Sequence, residues 1–344
     1  MMRKPVKFLI TFLMILLISC LAAVGCGKPP AQIAFFIYDE NDTFMSELMQ
    51  RMSAMVPYGM QTKIEYAANS QVVQNSQIVG LLDSGAELFV INAVDRLACG
   101  SIAEKCVKSG VKVIFFNREP LEEALKAGNS YYVGTDASGE GRKQALMAAE
   151  LFGANFSKSQ YDRNGDGVIQ VAILKGEQGH QDAERRTDSC IRQLRDMGYK
   201  VDILSVEVAD WSRQRAYEAM KRLYDGYGDQ IELLFSNNDD MAMGAIDYLL
   251  ETGVFAENPE KYDQPFVIIG VDGTSVGFSA IKRGLLYGTV QNDSASQANA
   301  VMELADYILN GRDMASFPYE ITNDRYIYID GDVITLRNLA DYAM

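Results

Sequence analysis

The residues best placed to do chemistry fall into two groups. The tighter group is the run DRNGDGVIQ, Asp162 to Gln170. Asp162, Asn164 and Asp166 stand at positions one, three and five of a calcium-loop spacing, with Gly167 at the sharp turn. Val168 offers its carbonyl at position seven and Gln170 a side-chain oxygen at position nine, a run of hard oxygen donors of the kind Ca2+ prefers. An EF-hand loop would close with a bidentate Glu at position twelve, but Ile173 stands there. The loop runs directly into an apolar stretch, 169–174, so it lies at the amino-terminal edge of a strand. Glu232 opens the apolar stretch 232–236, and parallel neighbours share an edge. Glu232 is therefore the candidate for the missing carboxylate, with Asp229 the alternative. An ion joining segments so distant in sequence would favour the folded chain, so its expected role is structural.

The second group is dispersed, and it takes shape only against the strands. In open α/β sheets, ligands lie beyond the carboxyl ends of the strands. Asp39, Asp42 and Phe44 follow the run 32–38; Asn117 follows 112–116; His180, Asp182 and Arg186 follow 169–174; Trp211 follows 200–207. Asn237 and Asn238 follow 232–236, Asp272 follows 266–271 and Asn292 follows 288–291. His180 is the chain's one histidine and Trp211 its one tryptophan. Amides, carboxylates and a guanidinium offer paired hydrogen bonds, and no nucleophile–base pair stands among them. Such a set suits a sugar, whose hydroxyls donate to carboxylates and accept from amides while its C–H faces pack on rings such as Phe44 and Trp211. Each residue has a plainer reading. Asp182, Asp239 and Asp272 could cap helices, Asn117 and Asn292 could serve turns, and Asp182 with Arg186 could form a helical ion pair. Their convergence on one edge favours a shared site.

The elements that must position these residues are short β-rich runs alternating with amphipathic stretches from residue 31 onward. Continuous apolar strands between helices predict buried parallel sheets. About ten such units exceed one doubly wound sheet of usual size. The pattern therefore predicts two α/β domains, each a doubly wound parallel sheet, joined by a multi-strand hinge. The expected division is 31–136 plus 293–328 for one lobe and 137–292 plus 329–344 for the other.

The first 25 residues read as an export signal rather than fold. Arg3, Lys4 and Lys7 precede the apolar run Phe8 to Ser19, and small residues lead to Cys26. This is the pattern of a bacterial lipoprotein leader, with Cys26 as the lipidated residue, Cys20 as the alternative, and residues 26–30 as a tether. Removing residues 1–25 takes away three positive charges and no acidic residue, so the net charge goes from −14 to −17. So acidic a surface excludes nucleic acid as a partner. Cys99 and Cys106 lie two helical turns apart and are expected as buried thiols, as is Cys190.

The segments FFNREP (115–120), YYVGTD (131–136), DRNGDGVIQ, LKGEQGHQDAERRT (174–187), SNNDDMAMGA (236–245), GVDG (270–273) and GTVQND (288–293) together resemble the galactose/glucose-binding proteins. These are substrate-binding components of ABC sugar importers with the type I periplasmic-binding fold. The likeness runs in order over nearly all of the mature chain. It implies that Phe44 and Trp211 sandwich a hexose, and that Asp42, Asn117, His180, Asp182, Arg186, Asn238, Asp272 and Asn292 form its hydrogen-bonding shell. It also implies that Asp42 faces the hydroxyl at which glucose and galactose differ, and that Glu232 is the bidentate calcium ligand. The sequence departs from the pattern at Gln178 and Gln181, beside His180, which implies a less rigid loop and a different fine specificity.

The expectation is an extracytoplasmic lipoprotein, a monomer, that closes on glucose or galactose and docks on a membrane permease, with calcium as a structural ion. A sensor handing the sugar to a chemoreceptor or histidine kinase is the alternative, or a binder of another hexose or pentose. An enzyme using Asp42 and Asp272 as acid and base is disfavoured for want of a tuned pair. A sugar-responsive repressor is disfavoured by the leader and the acidic charge.

Overall fold

The computed structural model describes residues 32–342; the leader, Cys20, Cys26 and the tether lie outside the described residues. Two six-stranded sheets organise the described residues. The first has the order β11-β5-β4-β3-β1-β2, from Ile33–Ile37 (β1), Thr62–Tyr66 (β2), Leu88–Ile91 (β3), Lys112–Phe116 (β4), Tyr131–Gly134 (β5) and Tyr326–Tyr328 (β11). All its pairings are parallel. The second has the order β12-β10-β9-β8-β6-β7, from Val168–Lys175 (β6), Lys200–Val208 (β7), Leu233–Ser236 (β8), Val267–Asp272 (β9), Gly288–Gln291 (β10) and Val333–Thr335 (β12). Only β12, which the apolar pattern does not single out, pairs antiparallel, against β10.

Helices cover both faces of each sheet. On the first, α1 (Thr43–Ala54) and α10 (Ser294–Leu309) pack on one face, while α2 (Gln71–Leu81), α3 (Cys99–Lys108) and α4 (Glu122–Gly128) pack on the other. On the second, α5 (Ala137–Phe152) and α6 (Gln181–Asp196) oppose α7 (Arg213–Tyr227), α8 (Asp239–Glu251) and α9 (Ser275–Lys282). Central strands such as IAFFI and LFVI are buried at every position, because covered parallel strands have no solvent face. Cys99, Cys106 and Cys190 are buried free thiols within these cores.

Three connections join the sheets: β5 to α5, β10 to α10, and β11 to β12. The α5–α6 pair is drawn together at Gly141, where a Cβ would sit 2.1 Å from Ser189 Oγ and 2.6 Å from the Arg186 carbonyl. That approach brings Glu140 to Arg186, and so sets the position of a site residue.

Candidate ligand-binding site

The carboxyl ends of the strands from the two lobes face one another across a cleft. Its cavity is lined by Asp42, Phe44, Asn117, His180, Asp182, Arg186, Trp211, Asn238, Asp272 and Asn292, together with Tyr38, Met45 and Arg118. Every residue expected to form a sugar shell reaches this one cavity. Asp42 lines it and Asp39 does not. Its free volume is about 30 Å3.

Helix capping decides which polar atoms remain free for a ligand. Asp42 is the N-cap of α1: Oδ1 accepts from Met45 N–H at 2.8 Å, and Oδ2 accepts from the Tyr38 hydroxyl. On the other lobe the acidic candidates do not cap. His180 caps α6, Asn238 caps α8 and Thr274 caps α9. Asp182 and Asp272 are thereby left to face the cavity. The Asp182–Arg186 helical pair of the plainer reading does not form. Instead Arg186 Nε donates to Glu140 Oε2 at 2.7 Å and its Nη1 to the Asn237 carbonyl at 2.7 Å, with Asp272 Oδ1 3.7 Å away. Asn292 donates weakly to Asp272 at 3.5 Å and accepts from Gln297.

Several of these residues hold uncommon backbone. Asn117 has φ +60°, Trp211 +62° and Asp272 +115°. Asn tolerates the left-handed region; for Trp and Asp such angles cost stability and concentrate where geometry serves a site.

Charge in the cleft is out of the ordinary. Burial lifts Asp182 to about 7; Arg186 opposes the rise, and Glu140 and Glu119 add to it. Asp272 is held well above the usual carboxylate range, again chiefly by burial. Burial, with Arg118 and Arg186 adding, keeps the His180 imidazole neutral. Its Nδ1 accepts from Asp182 N–H at 3.1 Å, so Nε2 carries the proton and is a donor. For Arg186, burial pulls the value down, but Glu140, Asp272 and Asp182 outweigh it and keep the guanidinium charged. The cleft thus offers carboxylate acceptors, guanidinium, imidazole and amide donors, and two aromatic rings.

Contacts from lobe to lobe close it. Glu119 Oε2 accepts from Gln181 Nε2 at 2.5 Å and Arg185 Nη1 at 3.1 Å, Arg118 Nη2 lies 3.1 Å from Glu177, and Glu47 Oε1 accepts from Ser275 Oγ at 3.0 Å. Arg118, Glu119 and Glu177 did not stand out in the sequence. They lie one or two residues past the first polar group at their strand ends, and only the facing lobe gives them a role.

At the opposite edge of the second sheet lies the Asp162–Gln170 loop. Asp162 Oδ1 and Oδ2 accept from Gly165 and Gly167 N–H at 2.9 and 3.1 Å, and Asn164 Oδ1 accepts from Asp166 N–H at 2.9 Å. The buried Glu232 carboxylate reaches this loop from the start of β8, accepting from Arg163 N–H at 2.8 Å and Gln170 N–H at 3.0 Å. Asp229 turns outward to the Arg163 guanidinium at 2.8 Å. Among the described residues, His, Cys, Asp and Glu side chains alone form no metal cluster; this donor set mixes carboxylates with amide oxygens. Two features fit a hard cation. Gln170 Oε1 is buried with no hydrogen-bond donor. Burial, with Asp162 and Asp166 nearby, lifts Glu232 to about 7 despite its two backbone donors.

Two α/β lobes closed on a polar cavity walled by aromatic rings define a solute-binding protein. The chain belongs to the periplasmic binding protein domain family, whose model matches residues 33–313, and that family consists of binders rather than enzymes. It is 32% identical over 315 residues to the D-galactose/methyl-galactoside binding periplasmic protein MglB of Haemophilus influenzae, covering 90% of this chain and 91% of that one. It is 26% identical over 320 residues to the ribose import binding protein RbsB of Bacillus subtilis, covering 90% and 95%. Among solved structures, an ABC transporter solute binding protein from Bacillus halodurans with bound myo-inositol shares the fold, with a TM-score of 0.75 at 20% identity over 92% of this chain and 99% of that one.

Proposed function

We propose that this chain is the exported, lipid-anchored sugar-binding component of an ABC importer and that its ligand is glucose or galactose. The observation that carries the reading is the convergence of Asp42, Phe44 and Asn117 from one lobe with His180, Asp182, Arg186, Trp211, Asn238, Asp272 and Asn292 on one cavity. Carboxylates, amides, an imidazole and a guanidinium line that cavity together, the mixture of acceptors and donors that sugar hydroxyls require. The 32% identity to a galactose-binding relative supports a hexose. Closure of the lobes would exclude water and strengthen each hydrogen bond, and the closed form would dock on a membrane permease. Cys26 would carry the lipid; no described helix is long and apolar enough to cross a membrane. Calcium would be held by Asp162, Asn164, Asp166, the Val168 carbonyl, Gln170 and Glu232, and would supply positive charge that joins the loop to β8.

Isothermal titration against glucose, galactose, ribose and myo-inositol tests the reading. The expected result is micromolar or tighter binding of glucose or galactose, with ribose and myo-inositol weaker by about a hundredfold or more. Preference for ribose or myo-inositol would overturn the hexose assignment.

A further inference from the structure

Beside the ligand cavity lies a second, larger one. It measures about 300 Å3 against about 30 Å3 for its neighbour. Its walls come from both lobes: Val94 to Leu97, Arg118 and Glu119 on one side, and Glu177 to Gln181 on the other. Arg118 and His180 line both cavities and so form the partition between them.

The partition is polar and incompletely satisfied. Arg118 is 4% exposed. Its Nη1 donates to the Val94 carbonyl, while Nη2, 3.1 Å from Glu177, has no hydrogen bond of good geometry. Gln181 is 6% exposed; its Nε2 is taken by Glu119, and its Oε1 is buried without a donor. Leaving a buried acceptor without a donor is costly, so a wall that carries one calls for a partner. Charge there is balanced. Arg96 and Arg118 face Asp95, Glu119 and Glu177, and Glu119 is already engaged by Arg185. A neutral group rich in hydroxyls matches such a wall better than an anion or a cation.

We propose that this cavity is a substituent subsite. It receives a polyhydroxylated group, such as a second sugar ring, attached to a hexose held in the first cavity. Arg118 and His180 give way at the partition, and Gln181 Oε1 accepts a hydroxyl of the substituent. The chain would then capture disaccharides as well as free hexoses. This rests on the hexose reading of the first cavity.

The test is titration of the full chain with glucose, galactose, lactose and melibiose, repeated on Leu97→Trp. Leu97 is an exposed lining residue of the second cavity alone, so a larger ring there would crowd that space and not the first. At least one disaccharide should bind wild type within about tenfold of the better free hexose. Leu97→Trp should weaken that disaccharide by at least about tenfold and the free hexose by less than about twofold. Hexose binding without disaccharide binding overturns the subsite and leaves the hexose reading standing. Disaccharide binding that Leu97→Trp does not change also overturns it. Failure of all four sugars overturns both readings.

Discussion

Gly176 lies so close beneath the Trp211 indole that a Cβ there would sit 2.3 Å from ring carbon Cη2. The indole is therefore seated on bare backbone at the end of β6, with His180 edge-on at 5.1 Å between ring centroids. Ring position is set by the absence of one methyl group. Gly176→Ala should push the indole from its seat and weaken hexose binding by about tenfold or more, since overpacking a tight contact typically costs about 1–3 kcal/mol. Titration calorimetry reads the affinity, and the fluorescence of the single tryptophan reports the displaced ring. An unchanged affinity would place the indole outside the ligand contact.

Trp211→Ala removes the ring itself. Burial of a large apolar side chain against a ligand is worth about 1.5–3 kcal/mol, so hexose affinity should fall by more than about tenfold. The fold should survive, because Trp211 is only half-buried and packs at the margin of its core.

Asp182 makes opposite demands on stability and on binding. Its value of about 7 in the folded chain lies above that of an unfolded carboxylate. Such a group contributes stability that is fully present below about pH 4 and is lost as pH rises through about 7. Asp182→Asn should therefore raise the melting temperature of the ligand-free protein more at about pH 8 than at about pH 5. A sugar hydroxyl donating to this carboxylate favours the ionised form. Wild-type hexose affinity should accordingly increase from about pH 5.5 to about pH 8, and Asp182→Asn should flatten that profile. Parallel melting and calorimetric series read both.

Glu119 gathers Gln181 and Arg185 from the opposite lobe and Tyr328 from the end of β11. Glu119→Ala removes the shared acceptor and should populate a more open ligand-free form, seen as a larger radius of gyration in solution scattering. Because an open population reduces apparent affinity by the fraction no longer competent, hexose affinity should fall by about three- to tenfold. Unaltered scattering together with unaltered affinity would show that these contacts do not govern closure.

Chelation addresses the loop at the far edge. EDTA should lower the melting temperature by several degrees, since a ligand bound to the folded chain alone stabilises it by mass action. Hexose affinity should change by less than about twofold, because the loop precedes β6 while the cavity lies beyond that strand's other end. Restoration by Ca2+ and not by Mg2+ would match a mixed carboxylate–amide donor set. Melting that EDTA leaves unchanged would remove calcium from the account.

The apolar runs report the architecture well because strands buried on both faces of a parallel sheet are apolar, as IAFFI and LFVI are throughout and VIIGVD is up to its terminal Asp272. Polar residues just past such runs, among them Asn117, Asn238 and Asn292, reach the cavity because ligands meet an open α/β sheet at the carboxyl ends of its strands. What local pattern does not show is pairing between elements distant in sequence. Glu140 lies in the first turn of α5, where an acidic residue reads as a complement to the helix N-terminus, yet it is the main partner of Arg186. Arg118 follows Asn117 directly but takes its place from Tyr38, over whose ring its guanidinium lies at 3.8 Å, and from Glu177. Capping misleads in a similar way. Asp182, Asp239 and Asp272 all have the right type and the wrong offset, and Asp239 instead accepts from Thr274 and Thr289 inside the core.

The strands β11 and β12 are neighbours in sequence and belong to different sheets. Until residues 326–335 emerge from the ribosome, β5 and β10 each have one bare edge, and neither lobe can be finished ahead of the other. Vectorial synthesis therefore delivers a chain whose two lobes both stay incomplete until its last tenth is made.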